Sequence, residues 1–403
     1  MDRLSVNAVI FGAGAAGLWI LDELRRRGFS ALLFEATGLG DGQTISSQGI
    51  IHSGLKYSLA GLLTAAAREA RDTVEIWKQC FAGAGRPDLS DTKILSPSFF
   101  LWGTDSAASR IGMLGARIGL RSTPQNVPVA ERPTMLQRCS GAVYRVDEEV
   151  LSPASLLVNL AAPHRASLFR YDAVAGVEFD RTRTGELREV RFTSPHDGTQ
   201  IAVSADWFIF AAGDGNEGLR ARAGIEASKM QRRPLHVCLV RGPLPEFYGH
   251  CIEGAKTRVT ITSAVDAAGR TVWQVAGNLA EDCVDLDAAG LIRKAQSELA
   301  ATLPDLDLRG TEWTTYRVDR AEGATLTGGR PDSFKLFQDG NTLSVWPTKL
   351  VLVPRLATEV ASFVARSAPR EVVLPAACAS WPKPDVAPPH WDRPHDWKPF
   401  GSV

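Results

Sequence analysis

The stretch NAVIFGAGAAGLWILDELRRRG, residues 7–28, narrows the possible folds more than any other part of the chain. A short β-branched apolar run leads into three glycines spaced G-x-G-x-x-G. Leucines at helical spacing (Leu18, Leu21, Leu24) then run to Gly28, a residue suited to a helix C-cap. A second apolar run, ALLFE, closes on Glu35, about 20 residues past the turn. Strand, glycine turn, helix, strand and acid in that order specify a parallel βαβ unit that binds a dinucleotide. Gly12 permits the tight turn. Gly14 lets the backbone at Ala15 and Ala16 approach a pyrophosphate at the helix N-terminus, where the helix dipole favours negative charge. Gly17 lets helix and strand pack closely. Glu35, followed by Ala36, is placed to accept hydrogen bonds from ribose hydroxyls. A glycine-rich loop of an unrelated α/β domain is the alternative, and it leaves the alignment of these features unexplained. The motif alone does not separate flavin from nicotinamide.

The chain has 403 residues, which is long for one core, so two domains or one domain with large insertions are expected. Its 45 basic and 45 acidic residues balance, which gives no electrostatic reason to expect nucleic acid or an anionic membrane surface. The opening MDRLSVNAVIFG does not read as a signal peptide, and no apolar stretch is long enough for a transmembrane helix. Six scattered cysteines without a CxxC pair point to reduced thiols and no structural metal, hence a cytoplasmic protein.

The segment beyond Glu35 separates the two cofactors. GDGQTISSQGIIHSGLKY, residues 40–57, is small, polar and glycine-rich, then turns apolar around one histidine, where a nicotinamide domain would continue with regular structure. At this stretch the chain resembles FAD-dependent oxidoreductases of the D-amino-acid oxidase superfamily. It is most similar to the branch holding L-2-hydroxyglutarate dehydrogenase and flavin-linked glycerol-3-phosphate dehydrogenase. The resemblance implies that Ser46, Ser47, Gln48, Gly49 and Ile50 line FAD, with His52 close to its reactive face. It recurs in later blocks. VLSPASLLVNLA reads as the helix before the adenine-side strand, YDAVAGVEFD puts Val174 at a backbone contact to adenine, and ADWFIFAAGDGNEG brings Ala212 and Gly213 over the cofactor. GGRPDSFKL and NTLSVWPTKLVLVPRLATEVASFV resemble the returning strand and last helix, with Thr348, Lys349 and Leu350 at the final flavin contact.

Two features depart from this pattern. GDGNEG is a second G-x-G-x-x-G after a strand, but the next strand ends in Arg241 and supplies no acid, so the FAD-closing turn accounts for it better than a nicotinamide site. WPTKL puts Pro347 and Thr348 where the family has glycines. Proline has no N–H to donate, so the arrangement there must be altered, with Thr348 and Lys349 left as donors.

The expected fold is α/β: a Rossmann-like FAD-binding domain (1–80, 141–230 and 316–375) interleaved with a largely antiparallel β substrate domain (81–140 and 231–315). RRPLHVCLVRG, TRVTITSAV and RTVWQVAG read as strands of the second domain, and DAAGLIRKAQSELAATLP as its helix. The Pro- and Trp-rich tail 376–403 is expected to run extended over the surface with its tryptophans buried; disorder or a partner site is the alternative.

Chemistry on this scaffold needs a base for an X–H proton and a cation for the substrate's anionic end. His52 is the candidate base; a purely structural histidine, or one covalently joined to flavin, are the other readings. Arg317 and Arg330 are the candidate anion clamps, with Arg320 weaker; each has a surface role as its alternative. Tyr57 and Tyr316 either cap the pocket or sit in the core. The expected activity is oxidation of a small anionic hydroxy compound, a 2-hydroxy acid or polyol phosphate. Amine or amino-acid oxidation on the same fold, and a non-catalytic flavin subunit, are the alternatives. The electron acceptor is not legible.

Overall fold

The computed structural model describes residues 2–52, 65–119, 124–174, 176–226, 229–254 and 256–402; Tyr57 lies outside them. The apolar run before the glycines is part of the strand Asp2–Phe11, at the centre of the first sheet. It pairs in parallel with Gln200–Phe210 on one side and Ala31–Glu35 on the other, and Ala31–Glu35 pairs in parallel with Leu168–Arg170. Beyond Gln200–Phe210 come Thr342–Trp346, parallel, and its hairpin partner Lys335–Asp339. Period-two alternation sorts the central strand. Ala8 and Ile10 pack with the helices Ala15–Arg26, Pro153–Ala161 and Val353–Val364, while Val9 and Phe11 join a phenylalanine-rich core beneath the hairpin Val177–Arg181 and Leu187–Thr193. The first helix ends as expected: Gly28 takes φ +86° and Phe29 N–H donates to Leu24 O at 3.0 Å.

The second sheet is largely antiparallel. Its centre is Met230–Gly242 against Glu312–Gly323 and Thr271–Ala276, continued by Lys256–Val265 and Gly249–Glu253. Gly249–Glu253 then runs parallel to Phe99–Gly103. Pro234 is tolerated because Thr271–Ala276 pairs only from Cys238 onward, so the proline sits where its strand is an edge. The helix Ala288–Thr302, capped by Asp287, covers the outer face over Trp102, Trp273 and Trp313. Two boundaries differ from the sequence-based expectation. Val143–Val146 belongs to the second sheet, and a crossing at residue 316 would cut the continuous strand Glu312–Gly323. The chain leaves the second sheet only after Gly323, because that whole strand is hydrogen-bonded to Met230–Gly242.

Candidate active site

The carboxyl ends of the parallel strands open onto a cavity of about 910 Å³ that continues beneath the inner face of the second sheet. Gly12, Gly14, Ala15 and Ala16 line it at the start of the first helix. Gly12 has φ +97°, and a Cβ there would stand 2.5 Å from Ala212 Cα. Gly17 does not line the cavity; a Cβ on it would meet Gly12 O at 1.9 Å, so its role is the close helix–strand packing. Glu35 and Ala36 line the cavity at the end of their strand. One Glu35 carboxylate oxygen accepts from Ala13 N–H at 2.6 Å and the other from Thr37 N–H at 2.9 Å. Burial raises the Glu35 pKa, and these hydrogen bonds oppose the rise.

Ser46 through Ile50 line the next part of the wall. Gln48 Nε2 donates to Thr262 Oγ1 and Gln274 O, both at 3.2 Å, tying this segment to the second sheet. Gly49, at φ +67°, approaches Leu151 so closely that a Cβ would lie 2.0 Å from its carbonyl oxygen. Ala212 and Gly213 line the same cavity as Gly12, so the two glycine motifs serve one site. Ser47 Oγ is buried without a hydrogen-bond partner among the described residues. An extended polar ligand in this cavity would satisfy it. A side-chain-free cradle, a helix N-terminus and an acid at the strand end fit a dinucleotide, and the continuation past Ser47 fits the flavin half.

Val174, expected at a backbone contact to adenine, is not among the residues that line the cavity. It is 84% exposed at the outside of its turn, its N–H donates to Asp172 Oδ1, and Tyr171 and Ala173 line the cavity instead. At the far end, Thr348, Lys349 and Leu350 line the wall. Thr348 adopts φ +62°, the conformation that a glycine would take there, anchored by its hydroxyl on Ser333 O at 2.9 Å. The Lys349 N–H, expected as a flavin donor, goes to Pro347 O at 2.6 Å. The adjoining turn Leu350–Leu352 runs into the helix Val353–Val364, and the start of that helix faces the cavity.

His52 lines the cavity with its ring half-buried. Its Nδ1 lies 3.1 Å from Oε2 of the buried Glu148 and its ring stacks on His250, centroids 5.2 Å apart. A carboxylate at Nδ1 fixes the tautomer: Nδ1–H donates to Glu148 and Nε2 keeps its lone pair.

The arginines divide by strand alternation. Tyr316, Val318 and Arg320 fall on the cavity face of Glu312–Gly323, beside Val237 and Leu235 of the neighbouring strand. Arg317 falls on the opposite face, where its guanidinium donates to Val284 O and Leu286 O, so it cannot clamp a ligand in the cavity. Arg330 does line the cavity, and its Nε is buried without a hydrogen-bond partner among the described residues. Burial, with Arg320 and Arg233 nearby, pulls its pKa down to about 10, so it stays charged. Arg233 is paired with Glu322 at 2.9 and 3.0 Å, and Arg320 with Glu281 at 2.7 Å. His250, Gln274 and Glu148 also belong to the site but carry no signal in the sequence. No motif surrounds them, and only strand register and loop packing bring them there.

A family model for FAD dependent oxidoreductases (DAO) matches residues 7–331. A probable FAD-dependent oxidoreductase of Pseudomonas aeruginosa, PA4991, is 37% identical over 396 residues, covering 97% of this chain and 98% of that protein. Its crystal structure superposes with a TM-score of 0.81 at 34% identity, over 97% of this chain and 98% of the other. Glycine oxidase from Geobacillus kaustophilus gives a TM-score of 0.66 at 17% identity, over 91% and 96% of the two chains. L-α-glycerophosphate oxidase from Mycoplasma pneumoniae, solved with FAD bound, gives 0.62 at 13% identity, over 96% and 100%. At such identities the last two share the fold alone.

Proposed function

The chain belongs to the DAO family of FAD-dependent oxidoreductases, and from that premise we propose that it oxidises a small anionic hydroxy compound, a 2-hydroxy acid or a polyol phosphate. The observation that carries this reading is the meeting, in one cavity, of a carboxylate-backed histidine and an arginine whose Nε has no partner among the described residues. Bound FAD supplies the two-electron acceptor for the hydride that leaves the substrate carbon. His52 Nε2 takes the hydroxyl proton, and Glu148 stabilises the imidazolium that forms. Arg330 holds the substrate's carboxylate or phosphate, and Arg320 adds positive potential beside it. The apolar wall of Val237, Ala276 and Val318 keeps the reacting carbon away from bulk water.

A hydroxyl must lose its proton as the hydride departs, whereas an amine bound in its neutral form needs no base in that step. His52→Asn therefore distinguishes the two classes. Under hydroxyl oxidation it lowers kcat by about 10²- to 10⁴-fold with FAD still bound. Retention of full kcat would overturn this reading and favour amine oxidation.

A further inference from the structure

The proline-rich stretch Asp385–Arg393 lies against the cofactor wall. Leu39 N–H donates to Asp385 O at 2.8 Å and Ala387 N–H to Leu39 O at 3.1 Å, a parallel bridge that fastens the turn after Glu35. Arg393 donates to Asp41 Oδ1 at 2.8 Å. His390 reaches deepest: it is 9% exposed and stacks on Tyr316, with centroids 3.7 Å apart and planes 8° from parallel. The single hydroxyl proton of Ser46 goes to Gly42 O at 2.5 Å, so Ser46 Oγ accepts from His390 Nε2–H at 2.7 Å. Ser46 and Tyr316 both line the cavity. Tyr316 OH in turn donates to Ser46 O at 3.3 Å and accepts from Gln274 Nε2 at 2.6 Å.

The segment Gly38–Ser47 is built of turns and lacks a strand ladder of its own. Its shape depends on hydrogen bonds supplied from outside. Prolines 388 and 389 fix the backbone just ahead of His390 and lower the entropic cost of presenting that ring. His390 touches the flavin-side segment and Tyr316 of the second sheet at the same time, so it joins the two walls of the cavity.

We propose that Asp385–Arg393 is a positioning element of the FAD site, acting through His390 to hold Gly38–Ser46 and the Tyr316 ring at the cavity wall. This rests on FAD binding and is independent of the substrate class. The test compares holoenzyme of wild type, H390A, H390F and W381F. FAD release on dilution is tracked by flavin fluorescence, alongside the visible flavin spectrum and Tm. Trp381 belongs to the same tail but packs on Phe169 and donates to Arg170 O, so W381F loosens the tail without touching Ser46 or Tyr316. H390A should release FAD about tenfold faster or more and shift the flavin band, because it loses one hydrogen bond and one stack. H390F keeps a ring on Tyr316 but no donor for Ser46, and should recover part of both effects. W381F should lower Tm while leaving release and spectrum at wild-type values. Wild-type release and spectrum in H390A would overturn the proposal. So would W381F releasing FAD as fast as H390A, since the tail would then act through stability alone.

Discussion

At the scale of single residues, two glycines of one motif have separable roles. A methyl group on Gly17 meets Gly12 O at 1.9 Å, backbone against backbone. Gly17→Ala should therefore cost about 3 kcal/mol of stability, read as a lower denaturation midpoint. A Cβ on Gly14 meets only Thr44 Oγ1, at 3.1 Å, and Gly14 lines the cavity at the helix N-terminus. Gly14→Val should fold and fail to retain FAD; a variant that stays yellow would refute the placement. The same contrast applies to the arginines. Arg330→Ala should lower kcat/KM by roughly ten- to a few-hundred-fold and Arg330→Lys should recover only part, because an ammonium is not a fork. Arg317→Ala should leave kcat/KM unchanged, since its guanidinium is bound to two carbonyls outside the cavity. The expected ranking of Arg317 above Arg320 is reversed, although TTYRVDR carries the signal: in a strand the arginine two places beyond Val318 shares its face and that of Tyr316, whereas Arg317 lies between them and must point away. Glu148 was not legible, because its pairing with His52 spans 96 residues and depends on how two loops meet.

At the scale of elements, the glycine turn, its helix and both flanking strands could be read directly, because period, caps and turn chemistry all agree there. The WPTKL turn could be read only in part. Its departure from glycine was evident, but Thr348 adopts the glycine-like conformation all the same, held by Ser333. The tail's contacts are long-range and leave no periodic trace. They do give a pH dependence. Burial, then the nearby Arg393 and His395, pulls the His390 pKa from 6.5 to about 4, with Asp41 opposing. The neutral ring is thus the folded form, and the unfolded chain binds the proton first as pH falls. The stabilisation is fully present above about pH 6.5 and is lost progressively toward pH 4. Thermal midpoints across that window should fall with pH in wild type and fall less in H390F.

At the scale of the whole molecule, the interleaving of the two sheets produces the site. The parallel sheet contributes its carboxyl edge, the second sheet its inner face, and the cavity runs between them. Strand pairing explains why the sheet boundary falls after Gly323, a point that composition and local periodicity do not mark. Among the described residues no helix is long and apolar enough to cross a membrane. Family membership fixes the cofactor and the class of chemistry, while the proposed substrate class rests on the placement of His52, Glu148 and Arg330. The most direct measurement is anaerobic flavin reduction, with the holoenzyme mixed with matched sets of 2-hydroxy acids, polyol phosphates, amino acids and uncharged alcohols while the visible flavin band is recorded. The expected result is bleaching by an anionic hydroxy compound, saturable and much slower in His52→Asn. Bleaching by an amino acid or an uncharged alcohol in preference to every anionic hydroxy compound would contradict the assignment.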